Sequence, residues 1–216
     1  MSTILISSNT LRDAKKLFGR MKHLRCTLPV LRHLLLTADH NGIRLAATDL
    51  DHWLETSISD DGYETLRFLI PPEAMEAACR ADRGSIVAFT SFGGRRSRDL
   101  GITIQSGGIE ATSVYPTLDP KEFPERPETM GAVATLPPAT LQGLAHVAGC
   151  ASTDTTRAIL NGVLFTPEDG GRLVATDGKR LACCPAHVPP QEFVLPVAAC
   201  HILGHPDFTA DVATIT

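Results

Sequence analysis

The 216-residue chain predicts an α+β fold made of two tandem, repeated domains, each with helices on one face of antiparallel sheets. Short apolar runs bounded by glycine, proline and Asn-Gly or Asp-Gly pairs are typical of antiparallel strands. Two stretches in the first half have the composition and spacing of helices. The tripeptide Ala-Thr-Asp occurs at 47–49 and again at 175–177, which indicates an internal repeat.

The first half begins with a predicted strand at 3–6 and a helix from Thr10, where a Thr-x-x-Asp sequence offers a capping hydroxyl. An Asn-Gly pair at 41–42 predicts a hairpin turn, and two prolines at 71–72 predict the start of a second helix. The prolines and charged residues of 115–128 predict a linker. The other strands predicted in this half are 31–38, 43–49, 52–58, 63–70, 86–90, 100–105 and 109–114.

Residues 10–25 form the one concentrated basic stretch of a chain whose formal net charge is −4. They contain six lysine or arginine residues and a single acidic residue, Asp13, so the stretch carries +5 and the rest of the chain −9. The apolar residues of the stretch recur at helical spacing, and cationic side chains fall on the opposite face. From the residues alone, this face is either a solvated helix surface or a surface for a polyanion.

The two halves align beyond the shared tripeptide. At an ungapped offset of 128 residues, the matched pairs are Leu31 and Ile159, Leu35 and Val163, Leu36 and Leu164, Arg44 and Arg172, and Leu45 and Leu173. A second match joins 68–71 to 193–196. We therefore expect domain 1 at 1–125 and domain 2 at 126–216. Because the chain ends within a strand of the repeat, we expect domain 2 to be C-terminally incomplete, with two strands missing and an unpaired sheet edge.

Composition and motifs favour a protein that is not an enzyme and has no metal site or cofactor. The six cysteines form no CxxC pair and have no nearby histidine in zinc-ligand spacing. No G-x-S-x-G, H-E-x-x-H or GK[ST] motif occurs, and Asp49 and Asp177 occupy matching positions typical of turns at strand ends. The first residues lack a secretory signal pattern, and no apolar run reaches the roughly 20 residues of a membrane span. We expect a reducing, cytoplasmic setting.

Five segments resemble one protein family. They are Arg-Cys-Thr-Leu-Pro-Val-Leu at 25–31, Ala-Ala-Thr-Asp-Leu at 46–50, Phe-Pro at 123–124, Arg-Ala-Ile-Leu-Asn-Gly at 157–162 and Val-Ala-Thr-Asp-Gly-Lys-Arg-Leu-Ala at 174–182. With them, the chain resembles the bacterial DNA polymerase III β subunit, the sliding clamp. The resemblance implies a DNA-clamp fold, with strands outside a ring and helices lining a hole for duplex DNA. The family's subunit has three such domains and dimerises head to tail, and this chain matches the first and most of the second.

The function implied by the resemblance is that of a processivity factor in DNA replication, which tethers the replicative polymerase to duplex DNA without reading its sequence. The clamp loader and repair proteins are further implied partners, and a full-length subunit would self-associate into a ring. The alternative is a shortened clamp-like interaction module, which binds partners or copies of itself without encircling DNA.

The basic stretch and the resemblance together predict a set of DNA-facing side chains. The set is Arg12, Lys16, Arg20, Arg25, Arg80 and Arg83. Lysine and arginine gain affinity for phosphates by releasing counterions, and contacts that carry no sequence information permit sliding. The predicted first helix of domain 2, at 139–148, has no lysine or arginine, so we expect that part of the surface to attract DNA weakly.

The resemblance also implies a pocket that takes short hydrophobic peptides from partner proteins. Leu160 and Leu181 would supply an apolar anchor site there, and Gly178 would let a peptide approach the backbone. The alternative is that both leucines belong to the core and that the Asp-Gly pair forms an ordinary turn. Lys179 replaces the histidine common in the family, and the third-domain half of the pocket has no counterpart. The matching positions are Leu160, Thr176, Gly178, Lys179, Arg180 and Leu181.

Overall fold

The computed structural model describes residues 3–19, 28–50, 52–93, 98–128, 134–154, 156–204 and 213–215. The chain divides into two compact units, Met1–Pro127 and Glu128–Thr216. In each unit, antiparallel sheets combine with helices, so the predicted α+β class is confirmed. Among the described helices, none is long and apolar enough to cross a membrane.

Unit 1 contains two four-stranded antiparallel sheets and two helices. In chain order its elements are β1 (Thr3–Ser7), α1 (Ser8–Phe18), β2 (Leu34–Asp39), β3 (Gly42–Thr48), β4 (Trp53–Ser59), β5 (Leu66–Ile70), α2 (Pro72–Arg80), β6 (Ile86–Gly93), β7 (Arg98–Ser106) and β8 (Ile109–Pro116). The strand orders are β1-β6-β7-β8 and β4-β3-β2-β5. The two helices contact each other, and both contribute buried apolar residues to the core.

Unit 2 repeats this arrangement. Its elements are β9 (Ala134–Leu136), α3 (Pro138–Ala148), β10 (Gly162–Thr166), β11 (Arg172–Thr176), β12 (Leu181–Pro185), β13 (Phe193–Pro196), α4 (Val197–Leu203) and β14 (Ala213–Ile215). The order β12-β11-β10-β13 corresponds to β4-β3-β2-β5, and the β9–β14 pair corresponds to β1–β6. The predicted tandem repeat is therefore present in the strand pairing as well as in the sequence.

Helix α1 begins earlier than the sequence predicts. The Ser7 hydroxyl oxygen accepts a hydrogen bond from the Thr10 backbone N–H at 3.1 Å, so Ser7 and not Thr10 caps the helix. The predicted apolar face is present, because Leu11, Ala14 and Phe18 are buried. The helix ends at Phe18, within the basic stretch rather than beyond it.

Other predicted boundaries also change where proline restricts the backbone or where tertiary contacts extend a strand. Strand β2 begins at Leu34 and not at residue 31, because Pro29–Arg32 forms a 3-10 turn. Strand β5 is shorter than predicted and begins at Leu66. Strand β8 continues through Pro116 into the predicted linker, paired with β7 along its whole length.

The strand register shows that the ungapped alignment of the two halves is wrong by one residue in the strand that precedes the hairpin. Leu36 pairs with Leu45 and Phe68, whereas Phe165 pairs with Leu173 and Phe193. Leu36 therefore corresponds to Phe165 and not to Leu164. The predicted match of Leu45 with Leu173 holds, since the second hairpin is one residue shorter than the first. A one-residue shift matters because successive strand residues point to opposite faces of the sheet.

The same correction applies to the 3-10 turn before each hairpin. The Leu31 N–H donates to the Leu28 carbonyl at 3.2 Å, and the Leu160 N–H donates to the Arg157 carbonyl at 2.9 Å. Leu31 thus corresponds to Leu160, and its predicted match with Ile159 is wrong. By the same register, Val30, the residue before Leu31, corresponds to Ile159.

The segment predicted to be a linker packs against one sheet of unit 1. Phe123 is only 2% exposed and lies edge-on to the Trp53 ring, with 5.9 Å between ring centroids. It clusters with Leu35, Ala46 and Leu69, and no residue of α1 or α2 belongs to this cluster. We call the sheet face that bears these three residues the outer face.

Polar contacts at both ends of this segment fix it to the same sheet. The Thr117 hydroxyl donates to the Leu69 carbonyl at 2.6 Å. Arg126 lies 3.5 Å from Glu55 of β4. The segment from Thr117 to Arg126 is therefore an ordered cover of the outer face.

We predict that Phe123→Ala lowers the free energy of unfolding of unit 1 by about 3 kcal/mol, because the substitution leaves a cavity where the buried phenylalanine ring was. Urea unfolding followed by the fluorescence of Trp53, the single tryptophan of the chain, measures this directly. Ile109→Ala is the control, because Ile109 is 73% exposed and should change stability by less than about 0.5 kcal/mol. Equal unfolding midpoints for the two variants would contradict the packing role.

Candidate nucleic-acid interface and partner-binding corner

The predicted DNA-facing residues fall into three groups. Arg12 and Lys16 lie on α1, and Arg80 is the last residue of α2 with Arg83 in the loop that follows. Arg20 and Arg25 lie outside the described residues. The described members thus lie on the two helices of unit 1 or in the loop that follows α2.

Arg12 links the two helices of unit 1. Its Nε donates to the Cys79 carbonyl at 3.0 Å, and its Nη2 donates to the Ala81 carbonyl. Nη1 lies 3.2 Å from Asn9 Oδ1 on its own helix. The last carbonyls of a helix have no partner within it and carry partial negative charge, so a guanidinium is well suited to bind them. Arg12 therefore caps the C-terminus of α2, and a phosphate contact would compete with these bonds.

The lysines of α1 form surface ion pairs. Lys16 lies 3.2 Å from Asp13, and both side chains are more than half exposed. Lys15 lies 3.9 Å from Glu76 of α2. Exposed pairs of this kind contribute little to stability and exchange readily with solvent ions. They leave both lysines near the surface, where a polyanion can compete with the carboxylates.

Arg80 and Arg83 are exposed, and no ion pair or hydrogen bond is seen for either side chain within the described part of the chain. Among the described members of the predicted set, they are therefore the cations that a phosphate can approach at the lowest cost. The charge of the helices themselves is small, since α1 and α2 together hold four lysine or arginine residues and three acidic residues.

In unit 2, five of the six predicted pocket residues lie on the turn between β11 and β12 or on the strand residues that flank it. Asp177 organises this turn: its Oδ1 accepts from the Lys179 and Arg180 backbone N–H groups, each at 2.9 Å, and its Oδ2 accepts from Arg180 Nε at 2.8 Å. The Gly178 N–H donates to the Thr176 hydroxyl at 3.0 Å. Both carboxylate oxygens of Asp177 are thus engaged in holding the turn, which supports a structural role.

The same contacts set the ionisation of the turn. The backbone N–H groups of Lys179 and then Arg180, followed by the Arg180 side chain, hold the pKa of the Asp177 carboxyl well below its usual value. The Asp177 side chain in turn raises the pKa of Arg180. Both shifts favour the charged forms.

Gly178 has a φ of +87°, a conformation that favours glycine. The Arg157 Nη1 atom lies 3.6 Å from the point where a side-chain Cβ at position 178 would be. The turn between β11 and β12 is therefore adjacent to the residues that lead into the 3-10 turn Ala158–Leu160.

The apolar side chains near this turn are open to solvent. Leu181 is 68% exposed and Leu160 is partly buried, so neither is simply a core residue. Ile159, which the sequence prediction omitted from the pocket, is 77% exposed beside Leu160. Its position next to Leu160 in the Leu-Asn-Gly motif was the only sequence signal for it. We call Ile159, Leu160 and Leu181, with the turn from Thr176 to Arg180, the partner-binding corner.

Comparison with known proteins places this architecture in a family. No protein-family model matches the chain. A β sliding clamp from Synechocystis sp. is 33% identical over 187 residues, which are 83% of this chain and 47% of that protein. The β sliding clamp of Vibrio cholerae is 31% identical over 169 residues, 76% of this chain and 44% of that protein. The chain is a relative of the bacterial β sliding clamps.

Solved structures agree with this relationship. The DNA polymerase III β subunit from Pseudomonas aeruginosa superposes with a TM-score of 0.75 at 22% identity, covering 99% of this chain and 59% of that one. A sliding clamp from Bartonella birtlesii bound to griselimycin gives 0.69 at 25% identity, covering 94% and 55%. The DNA-clamp fold and the resemblance found in the sequence are thus confirmed. The chain spans about half the length of the curated clamps it matches.

We predict that Arg12→Ala destabilises unit 1 by about 2 kcal/mol, because it removes charge-assisted hydrogen bonds to the α2 carbonyls. Lys16→Ala is the control, since it removes one cation from the same helix together with the exposed ion pair to Asp13, and should cost less than about 0.5 kcal/mol. Thermal unfolding followed by Trp53 fluorescence distinguishes them. Indistinguishable midpoints would show that the Arg12 contacts contribute nothing.

We predict that the Asp177 carboxyl titrates below an ordinary aspartate, and that Arg180→Ala raises its pKa only part of the way back, because two backbone donors remain. Carboxyl ¹³C NMR across a pH series measures both values. Because the folded-state pKa is lowered, the ionised Asp177 carboxylate stabilises the fold at pH values above the ordinary carboxyl pKa. This contribution is lost as the pH falls through the lowered pKa. An ordinary pKa in the parent chain would contradict the turn geometry.

Proposed function

We propose that this chain comprises the first domain and most of the second of a DNA sliding clamp, and that it works in DNA replication by tethering a polymerase to duplex DNA. The observation that carries the proposal is the clamp fold over nearly the whole chain, together with 33% identity to a β sliding clamp. The proposed partners are duplex DNA, the replicative polymerase, the clamp loader and repair proteins, and the proposed assembly is a ring.

In this proposal, exposed cations of unit 1 contact the DNA backbone without reading bases. Arg80, Arg83 and Lys16 are the described contributors, and Arg20 and Arg25 are further candidates. Contacts of this kind are individually weak and salt-dependent, which allows movement along the duplex. Arg12 holds α1 against α2 and thereby supports this surface from within.

The partner-binding corner takes hydrophobic peptides in the same proposal. The exposed side chains of Ile159 and Leu181 provide apolar area, and Lys179 and Arg180 provide positive charge beside it. No catalytic step is assigned to the corner, because both oxygens of Asp177 already accept hydrogen bonds from the turn.

A second candidate is a clamp-like interaction module that binds partners or itself without encircling DNA. It is favoured by two observations in the described helices of unit 1. Their net charge is only +1, and Arg12, a predicted DNA contact, is bonded to α2 instead.

Retention on DNA separates the two candidates. If the chain closes a ring, native mass spectrometry shows a defined oligomer, and the protein stays on circular DNA but slides off linear DNA. A monomer that dissociates equally from both, with the same salt dependence, would reject encirclement and favour the interaction module.

We predict that Arg80→Glu combined with Arg83→Glu weakens DNA binding and makes its dependence on log salt concentration less steep by about 2, because two phosphate contacts are lost. Arg67→Glu with Lys121→Glu is the control, since it makes the same charge change at exposed sites outside α1 and α2. Fluorescence anisotropy with a labelled duplex at several salt concentrations gives both slopes. Equal losses in the two double variants would mean that net charge, and not a helical surface, determines binding.

A further inference from the structure

The helices of unit 2 carry histidine where those of unit 1 carry lysine and arginine. Neither α3 nor α4 contains a lysine, arginine, aspartate or glutamate. His146 lies in the last turn of α3, and His201 lies in the last turn of α4. The other ionisable side chain on these helices is Cys200, which is fully buried. The charge of the two helices is therefore set by the protonation of two histidines.

Both histidines lie near the point where α3 and α4 meet. A side-chain Cβ at Gly204, where α4 ends, would be 2.9 Å from the Ala145 Cα, so the two backbones are in close contact there. His146 follows Ala145 directly, and His201 precedes Gly204 by about one helical turn. Both histidine side chains are exposed, whereas the next residue along each helix is buried. The fold thus presents both rings to solvent on the same helix pair.

The hydrogen bond of His146 determines which of its ring nitrogens is free. Nδ1 lies 2.8 Å from the Gln142 carbonyl oxygen. A carbonyl oxygen only accepts hydrogen bonds, so Nδ1 carries the proton of the neutral ring. Nε2 of the neutral ring is then an acceptor, which has no hydrogen to donate to a phosphate. Protonation places a hydrogen on Nε2, and the ring gains a positive charge and a free donor together.

The elements packed against these helices supply no competing carboxylate. They are the strands β10 to β13, and the Thr140 hydroxyl of α3 also donates to the carbonyl of His187 at 2.8 Å. Asp169, just before β11, is already paired with Arg172. The titratable side chains on these strands, in the His187 loop and after the end of α3 are Cys150, Arg172, Cys183, Cys184 and His187. Within these described elements, a protonated His146 or His201 thus remains available to an external anion.

Histidine is the side chain whose charge ordinarily changes between about pH 5 and pH 8. Across that range the net charge of α3 and α4 rises from zero to +2 as the pH falls. A position in the last turn of a helix favours a cation, because the final carbonyls carry partial negative charge. An exposed cation next to DNA phosphates gains affinity by releasing counterions.

We propose that His146 and His201 are phosphate contacts of unit 2 that form only when the histidines are protonated, so that pH sets the affinity of this unit for duplex DNA. The inference rests on the proposed function, because it takes the DNA backbone as the anion that the helices meet. It refines the expectation that the helix predicted at 139–148 attracts DNA weakly: the attraction is weak at neutral pH and increases on mild acidification.

The test measures binding of the full chain to a labelled duplex by fluorescence anisotropy at pH 7.5 and pH 5.5, each at several salt concentrations. We expect the parent chain to bind more tightly at pH 5.5. The slope of log affinity against log salt concentration should become steeper by about 2, since two contacts form. His146→Gln with His201→Gln should lower affinity about tenfold at pH 5.5 and change it little at pH 7.5.

Two further double variants separate the charge of these positions from a general effect of histidine content. His40→Gln with His187→Gln is the matched control, because it removes two exposed histidines that lie outside the helices, and it should retain the effect of pH. His146→Arg with His201→Arg supplies permanent cations at the same exposed sites. It should bind at pH 7.5 about as tightly as the parent chain binds at pH 5.5. Thermal unfolding checks that each variant is folded.

Proton uptake gives an independent readout, because the coupling between protonation and DNA binding is reciprocal. Calorimetric titration at pH 6.5, in two buffers that differ in ionisation enthalpy, measures the protons taken up on binding. The parent chain and the His40→Gln, His187→Gln control should take up protons. The uptake should be smaller for the His146→Gln, His201→Gln variant.

Three outcomes would overturn the inference. The first is the same pH dependence and proton uptake in the parent chain and the His146→Gln, His201→Gln variant, with Arg80→Glu and Arg83→Glu still weakening binding; the proposed function would then stand without the histidine contacts. The second is an unchanged pH dependence in the arginine double variant. The third is no binding of the duplex at low salt at either pH, which would reject the proposed DNA surface as well.

Discussion

The alternation of side chains along paired strands is the constraint on which the rest of this structure depends. In the β4-β3-β2-β5 sheet, Leu36, Leu45 and Phe68 share one face, and their neighbours Leu35, Ala46 and Leu69 share the other. Because both faces are apolar, each needs a cover, and helices cannot supply both. The segment that follows β8 covers the outer face through Phe123, which is why a stretch with the composition of a linker is ordered.

The helical layer depends on a different interaction, the contact of Arg12 with the end of α2. The carbonyls of Cys79 and Ala81 accept hydrogen bonds from the guanidinium of Arg12, which lies in the second turn of α1. Because Arg12 stabilises the helix pair, it is less available to DNA. The positive charge of residues 10–25 is therefore not by itself evidence of a DNA-binding surface. The exposed arginines at the end of α2 and just after it, Arg80 and Arg83, add positive charge to this layer. Neither side chain makes an ion pair or hydrogen bond within the described residues.

The exposed apolar side chains of the partner-binding corner are Leu181 and Ile159. Asp177 holds the turn beside them, because its carboxylate accepts hydrogen bonds from two backbone N–H groups and one side chain. In the proposed function, a turn held by these hydrogen bonds beside exposed apolar side chains would need little ordering when a peptide binds.

The sequence by itself determined the α+β class, the repeat, most strands and the family, because these follow from local apolar patterns, turn residues and motifs. It also placed five of the six predicted pocket positions on one turn and the strand ends beside it, since they are consecutive or nearly so in the chain. Only the tertiary structure decided that Arg12 binds a helix end 67 residues away, that Leu36 corresponds to Phe165, and that Phe123 covers a sheet. Each of these depends on contacts between residues distant in sequence, and a local pattern does not specify which distant partner is chosen.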